Sequence, residues 1–240
     1  MCFSVNVNLV KEELESRYGA TLIDPDKYRP SFYLHAFSIP EMPVICSDDP
    51  AKIKLFRWGL IPSSSGSMEE AERIRNKTFN ARAEGLSDKR SFSLSYRSKR
   101  CIIPIRGFFE WQHKGKEKIP WYIYKSDDSI ISLAGLYDTW IFDKTGEVFN
   151  TFTIVTTEAN ELLSEIHNSA KRMPAILDIV QEKRWLDLSA SENELTDILR
   201  PSSMILNAHT VGPLVNDRNA DRNTPDVIKP YRKPLQTTLF

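Results

Sequence analysis

The sequence predicts an α+β fold with a mainly antiparallel sheet at its centre. Three observations carry this. Strand-like runs follow one another from Cys101 to Thr156 with turn residues between them, helical segments stand before and after that block, and no β-α-β-α-β alternation is present. A chain of 240 residues lies near the upper size of one domain, and no internal repeat or long linker divides it.

Taken in order, Leu9 to Tyr18 reads as an amphipathic helix, with Gly19 placed as a C-terminal cap. Prolines at 25, 30, 40, 43 and 50 restrict the next stretch to loops and short strands, among them Phe32-Tyr33-Leu34 and Val44-Ile45-Cys46. Ile53 to Trp58 alternates like a half-buried strand. The Ser63–Ser67 turn then leads to a charged helix near 68–77. Strands are expected at 101–103, 107–111, 121–125, 130–134 and 150–156, with hairpin tips at Gly115, Asp127-Asp128 and Lys144-Thr145-Gly146. Helices return at about 158–166, 179–187 and 192–200, the last two behind Asp178 and Ser191 as N-caps. Residues after about 214 are polar and proline-containing, which predicts an extended tail along the surface.

Composition narrows the classes of function. With 41% hydrophobic and 27% charged residues the chain has the proportions of a soluble globular protein, and no apolar run approaches the roughly 20 residues of a membrane span. The N-terminus has no signal-peptide pattern, so a cytoplasmic location is expected, nucleoid-associated if the source is bacterial. Cys2, Cys46 and Cys101 are too few for a disulfide framework, and the four histidines lack ligand spacing. No metal and no cofactor is expected, and Cys46 and Cys101 read as buried strand cysteines. Net charge is zero, yet residues 72–106 hold ten basic side chains against three acidic ones. A local surplus of +7 on a neutral protein suits a nucleic-acid groove, and suits a solvated loop equally.

Four side chains carry candidate chemistry. Cys2 becomes the N-terminal residue if a methionine aminopeptidase removes Met1, and then offers an amine and a thiol together. Such a 1,2-aminothiol condenses with an aldehyde to an imine and closes through sulfur to a thiazolidine. Taken alone, Cys2 is better explained as an early buried cysteine. Glu110, inside the aromatic run Gly107-Phe108-Phe109-Glu110-Trp111, is a carboxylate whose expected burial would raise its pKa towards neutrality; an outward-facing edge position or an ion pair with Arg106 is the alternative. Asn80 and Arg82, in Phe79-Asn80-Ala81-Arg82-Ala83-Glu84, supply an amide to hold an amine and a guanidinium for phosphate, or a cap and an exposed ion pair. His167 precedes Lys171-Arg172 and serves either as an acid/base group beside an anionic backbone or as a helix-terminal histidine.

These segments stand in an order that resembles the SOS response-associated peptidase (SRAP) family of abasic-site-processing proteins. The resemblance rests on Cys2, F-N-A-R-A-E (79–84), G-F-F-E-W (107–111), A-G-L-Y-D-T-W (134–140) and I-H…R-M-P (166–174), with W-G-L-I-P (58–62) and V-N-D-R-N (215–219) in support. It covers nearly the whole chain and implies a single domain with a β-barrel-like core and a positively charged DNA channel.

The resemblance also implies roles. Cys2 would crosslink to the ring-opened sugar aldehyde, Asn80 orient the amine, Glu110 move its proton and His167 exchange a proton with the sugar oxygen. Arg82 and Arg172 would bind phosphate and Trp58 stack at the channel. The expected partner is single-stranded DNA containing abasic sites, met by a monomer without a membrane. Two departures stand out: Cys2 is followed by Phe3-Ser4 where the family has Gly-Arg, and four residues rather than one separate His167 from Arg172. Two other readings are a cysteine-dependent autoproteolytic peptidase and a non-covalent reader of single-stranded or modified DNA using Trp58, Trp111, Trp121 and the basic 72–106 stretch.

Overall fold

The structure is a computed structural model and describes residues 2–232, so Met1 and the last eight residues of the expected tail lie outside it. The chain opens with β1 (Ser4–Val7), buried along its length, and α1 (Lys11–Tyr18), which stops at Gly19 with φ of 60°. A left-handed residue there is what a glycine C-cap provides without a Cβ clash. Next come β2 (Thr21–Leu22), β3 (Ser31–His35), β4 (Glu41–Cys46), β5 (Lys52–Trp58) and α2 (Met68–Arg75), the helix capped by the Ser67 hydroxyl on Glu70 N–H. Then β6 (Asn80–Arg82) and α3 (Ser93–Ser98) precede the β-rich centre of β7 (Arg100–Ile105), β8 (Gly107–Lys114), β9 (Glu117–Lys125), β10 (Ile131–Phe142) and β11 (Glu147–Glu158). The described chain closes with α4 (Glu161–Ile166), β12 (Arg172–Pro174), β13 (Ile176–Leu177), α5 (Ile179–Leu186), α6 (Glu192–Ile198) and β14 (Leu206–Thr210).

Two sheets organise these strands. One has the order β14-β9-β8-β1-β3, the other β12-β11-β10-β7-β4-β5-β2. In the second sheet β5 also meets β11 in parallel, Arg57 opposite Thr151 and Trp58 opposite Phe152. That contact closes β11, β10, β7, β4 and β5 into a five-stranded barrel, antiparallel except at the one seam. Closure removes the exposed edges that an open sheet of this size would present. Cys46 and Cys101 face each other across β4 and β7 as free, fully buried thiols, in line with their reading as strand cysteines.

Two expectations from the sequence need correction. Trp58 does not line a channel: it is 0% exposed, its indole N–H donates to Phe79 O at 2.8 Å, and its ring stacks on Phe152 at 6.1 Å. The alternation that marks β5 as half-buried places Trp58 on the inner face, so base stacking is closed to it. The basic stretch is not one continuous surface either. Arg100 is buried with its guanidinium on the carbonyls of Tyr96, Arg97, Trp185 and Asp187, Lys99 pairs with Asp138, and Arg106 pairs with Glu13. Arg73, Lys77, Arg82, Lys89, Arg90 and Arg97 remain exposed.

Gly107 is a point where β8 and its neighbour β9 leave no room for a side chain. A Cβ there would lie 2.5 Å from the Ile123 carbonyl oxygen and 2.6 Å from the Tyr122 ring. Since a backbone atom cannot yield cheaply, Gly107→Ala is expected to lower stability by about 1–3 kcal/mol, read as a lower denaturant midpoint with unchanged m-value.

Candidate active site

Four separate elements converge on the start of the chain. β1 lies between β3 and β8, Ser4 opposite Phe109 on one side and His35 on the other. This antiparallel register carries Cys2 and Phe3 past the Glu110 position of β8. Glu110 is 3% exposed and Cys2 fully buried, and the carboxylate is close enough to act on the thiol electrostatically. β6 delivers the third group: it pairs in parallel with β11, Asn80 opposite Ile154, and the Asn80 amide donates from Nδ2 to the Cys2 carbonyl at 2.9 Å. Asn80 Oδ1 is buried and has no hydrogen-bond partner among the described residues. A buried amide oxygen without a donor is costly, and it marks a place for an N–H next to Cys2.

His167 arrives from the end of α4, whose N-terminus is capped by the Asn160 side chain on Leu163 N–H. The four residues before Arg172 form a tight turn, with Ala170 and Lys171 N–H both donating to His167 O and Lys171 at φ 48°. Asn168 docks that turn on the end of β8, its side chain accepting from His113 N–H at 3.0 Å and donating to His113 O at 2.8 Å. Gln112 adds a hydrogen bond to Glu165 O at 3.1 Å. The longer spacing between histidine and arginine is thus absorbed by an amide clamp, and His167 Nδ1 lies 3.7 Å from Glu110 Oε1.

Protonation follows from these contacts. His167 Nδ1 is 2.8 Å from Arg172 O, an oxygen that can only accept, so Nδ1 carries the proton and Nε2 is the basic nitrogen. Burial pushes the His167 pKa below its ordinary value, which favours the neutral ring. Burial pushes Glu110 the other way, up to about 7, so near neutrality it exchanges a proton readily. The Cys2 thiol is pushed up by burial first and by Glu110 second, so the resting form is the thiol rather than the thiolate. The pocket therefore holds a neutral nucleophile beside one carboxyl group poised to take or give a proton.

The proposed phosphate ligands divide. Arg82 is exposed and makes no ion pair among the described residues. Arg172 is 9% exposed and turns inward, onto the Glu84 carboxylate and the Thr156 carbonyl. Its main part is to tie β12 to β11 beside the site, and no local pattern marks Glu84, 88 positions away, as its partner. Trp111, by contrast, is half-buried at the mouth, with its indole N–H on Asn216 at 2.9 Å. Nearby, Phe37 is 62% exposed and its ring stacks on Phe3 at 5.5 Å. Sequence reasoning passed over Phe37, since one aromatic residue between two short strands carries no periodic signal.

Comparison with known proteins shows the family and the fold. The family model for SOS response associated peptidase (SRAP) matches residues 1–218, and the chain belongs to this family. Abasic site processing protein YoqW of Bacillus subtilis is 36% identical over 208 residues, which cover 85% of this chain and 88% of that protein. Abasic site processing protein HMCES of Xenopus tropicalis is 32% identical, over 85% of this chain and 67% of its own. The crystal structure of a Bacteroides thetaiotaomicron protein aligns with a TM-score of 0.90 at 36% identity, across 96% of this chain and all of that one. The fold is thus the SRAP fold, and among the described residues no helix is long and apolar enough to cross a membrane.

Proposed function

We propose that this protein captures abasic sites in single-stranded DNA as a covalent thiazolidine on Cys2, once Met1 has been removed. The observation that carries the reading is the convergence of Asn80, Glu110 and His167 on the Cys2 end of β1. The names of the relatives supply the substrate class.

The steps balance without a cofactor. Asn80 Oδ1 accepts a hydrogen bond from the freed amine while Nδ2 holds the Cys2 carbonyl, which fixes the nucleophile. Ionised Glu110 takes the ammonium proton, and the amine nitrogen adds to the aldehyde carbon of the ring-opened sugar. Loss of water gives the imine. The thiol sulfur then adds to the imine carbon as its proton passes to nitrogen, and the five-membered ring closes. His167 Nε2 exchanges a proton with the sugar hydroxyl as the ring opens, and its Nδ1–H bond to Arg172 O keeps the tautomer. Exposed Arg82 contacts a flanking phosphate.

Intact mass spectrometry of the protein mixed with an abasic oligonucleotide tests this. The expected product is the chain without Met1 plus the strand less one water, stable to borohydride because a thiazolidine has no imine to reduce. A chain that loses Met1 yet gains no strand mass would sink the capture reading.

A further inference from the structure

Beside the nucleophile lies a groove of about 610 Å³ that the mechanism above leaves unused. Its walls include Phe37 and His35 from the β3 end, Trp111 from β8, and Arg218 and Arg222 from the C-terminal segment. That segment is fastened at several points. Asn216 accepts from the Trp111 indole, Asn223 Oδ1 accepts from Phe32 N–H at 2.8 Å and Ser31 Oγ at 3.0 Å, and Tyr231 N–H donates to Thr210 O at 2.8 Å. The two arginines therefore stand on an anchored wall.

Their electrostatic situation is unusual. Neither Arg218 nor Arg222 forms a salt bridge among the described residues, and no carboxylate lines the groove. The adjacent carboxylates are turned to the backbone, Asp217 to Asn219 N–H at 2.9 Å and Asp221 to Asn223 N–H at 2.8 Å. Arg222 places its guanidinium carbon over the Tyr33 ring, 4.5 Å from its centroid, and the Tyr33 hydroxyl meets Ser4 Oγ at 3.0 Å, two residues from the nucleophile. Both arginines also act on His35, whose pKa is lowered by burial first and by these two charges next, so they share one face. Two guanidinium groups without a counter-anion, beside an exposed aromatic ring, form the combination that binds a nucleotide strand: cations for phosphate and a flat apolar face for a base.

We propose that this groove is a second subsite, in which Arg218 and Arg222 bind successive phosphates of the strand flanking the lesion while a base stacks on Phe37. The inference rests on the single-stranded DNA reading of the site. It adds that the C-terminal segment, rather than the basic 72–106 stretch alone, sets the grip on undamaged flanking nucleotides.

Equilibrium binding of a fluorescent oligothymidylate without any abasic site tests the subsite independently of Cys2 chemistry. Loss of two phosphate contacts in the Arg218→Ala/Arg222→Ala double variant is expected to weaken binding about tenfold or more at low salt and to flatten the log–log salt slope by about 1.4. The Arg218→Lys/Arg222→Lys variant should keep the slope, and Lys144→Ala, at the far β10–β11 turn, should match the wild type. Phe37→Ala should weaken binding at least about fivefold with the slope unchanged. Equal slopes in wild type and double alanine variant, or no binding by the wild type, would overturn the proposal. Crosslinking to an abasic strand is scored alongside: failure of that reaction with intact salt slopes removes the capture chemistry and leaves the groove standing.

Discussion

Cys2→Ala is expected to leave no adduct with an abasic strand that survives denaturing electrophoresis, a loss of the whole signal rather than a fraction of it. The variant still exposes an α-amine once Met1 is removed, so it still forms an imine with the sugar aldehyde. Without sulfur the imine cannot close, and it hydrolyses. Borohydride added during the reaction should therefore trap the alanine variant and leave the wild-type adduct unreduced, which separates loss of ring closure from loss of binding. Folding should survive the change, because removing one sulfur from a fully buried site costs about 1 kcal/mol. An alanine variant that crosslinks like the wild type would move the nucleophile elsewhere.

The second large effect belongs to Glu110. Burial holds its carboxyl protonated up to about pH 7, and only the ionised form can take the proton from the amine. The single-turnover crosslinking rate should therefore rise with pH through an inflection near 7. Glu110→Gln should lower the rate by about 10²–10⁴ and erase that inflection. His167→Ala should slow the reaction but keep the inflection, since burial places the imidazole's own titration below its ordinary range. A glutamine variant with the wild-type pH profile would show that another group titrates.

Much of the fold was legible because its signals are local. The Gly19 cap and the capping boxes at Asp178 and Ser191 form where the residue types required them. The turns at Gly115 and Gly146 adopt positive φ at two of the expected hairpin tips; Asp128 also has positive φ, but its turn passes the chain from β9 to β10, which lie in different sheets, so the hairpin expected there does not form. What could not be read was non-local. The seam between β5 and β11 joins residues almost a hundred positions apart, and β6 is three residues long. β10 and β11 extend well beyond the apolar runs that announced them, because Asp138 interrupts the pattern; once folded it is buried and satisfied by Lys99 and by Ser63 N–H.

The site divides in the same way. Cys2, Asn80, Glu110 and His167 were identifiable as residue types in ordered motifs, and the structure brings them together. Whether a basic or aromatic side chain faces outward depends on which strand it meets. Trp58 and Arg172 went inward for that reason, while Phe37, Arg218 and Arg222 were left at the surface or the groove.

β11 carries a consequence for how the pocket opens. It pairs with β6 at Ile154 to Thr156 and with β12 at Thr156 to Glu158, so the strand that carries Asn80 and the strand that follows His167 are both held by the same few residues of β11. Fraying of those few rungs would slacken both flanks together, since they belong to one cooperative unit rather than two jaws that hinge apart. Under the proposed capture chemistry, release of a bound strand would then depend on how firmly this short span is held in the barrel wall.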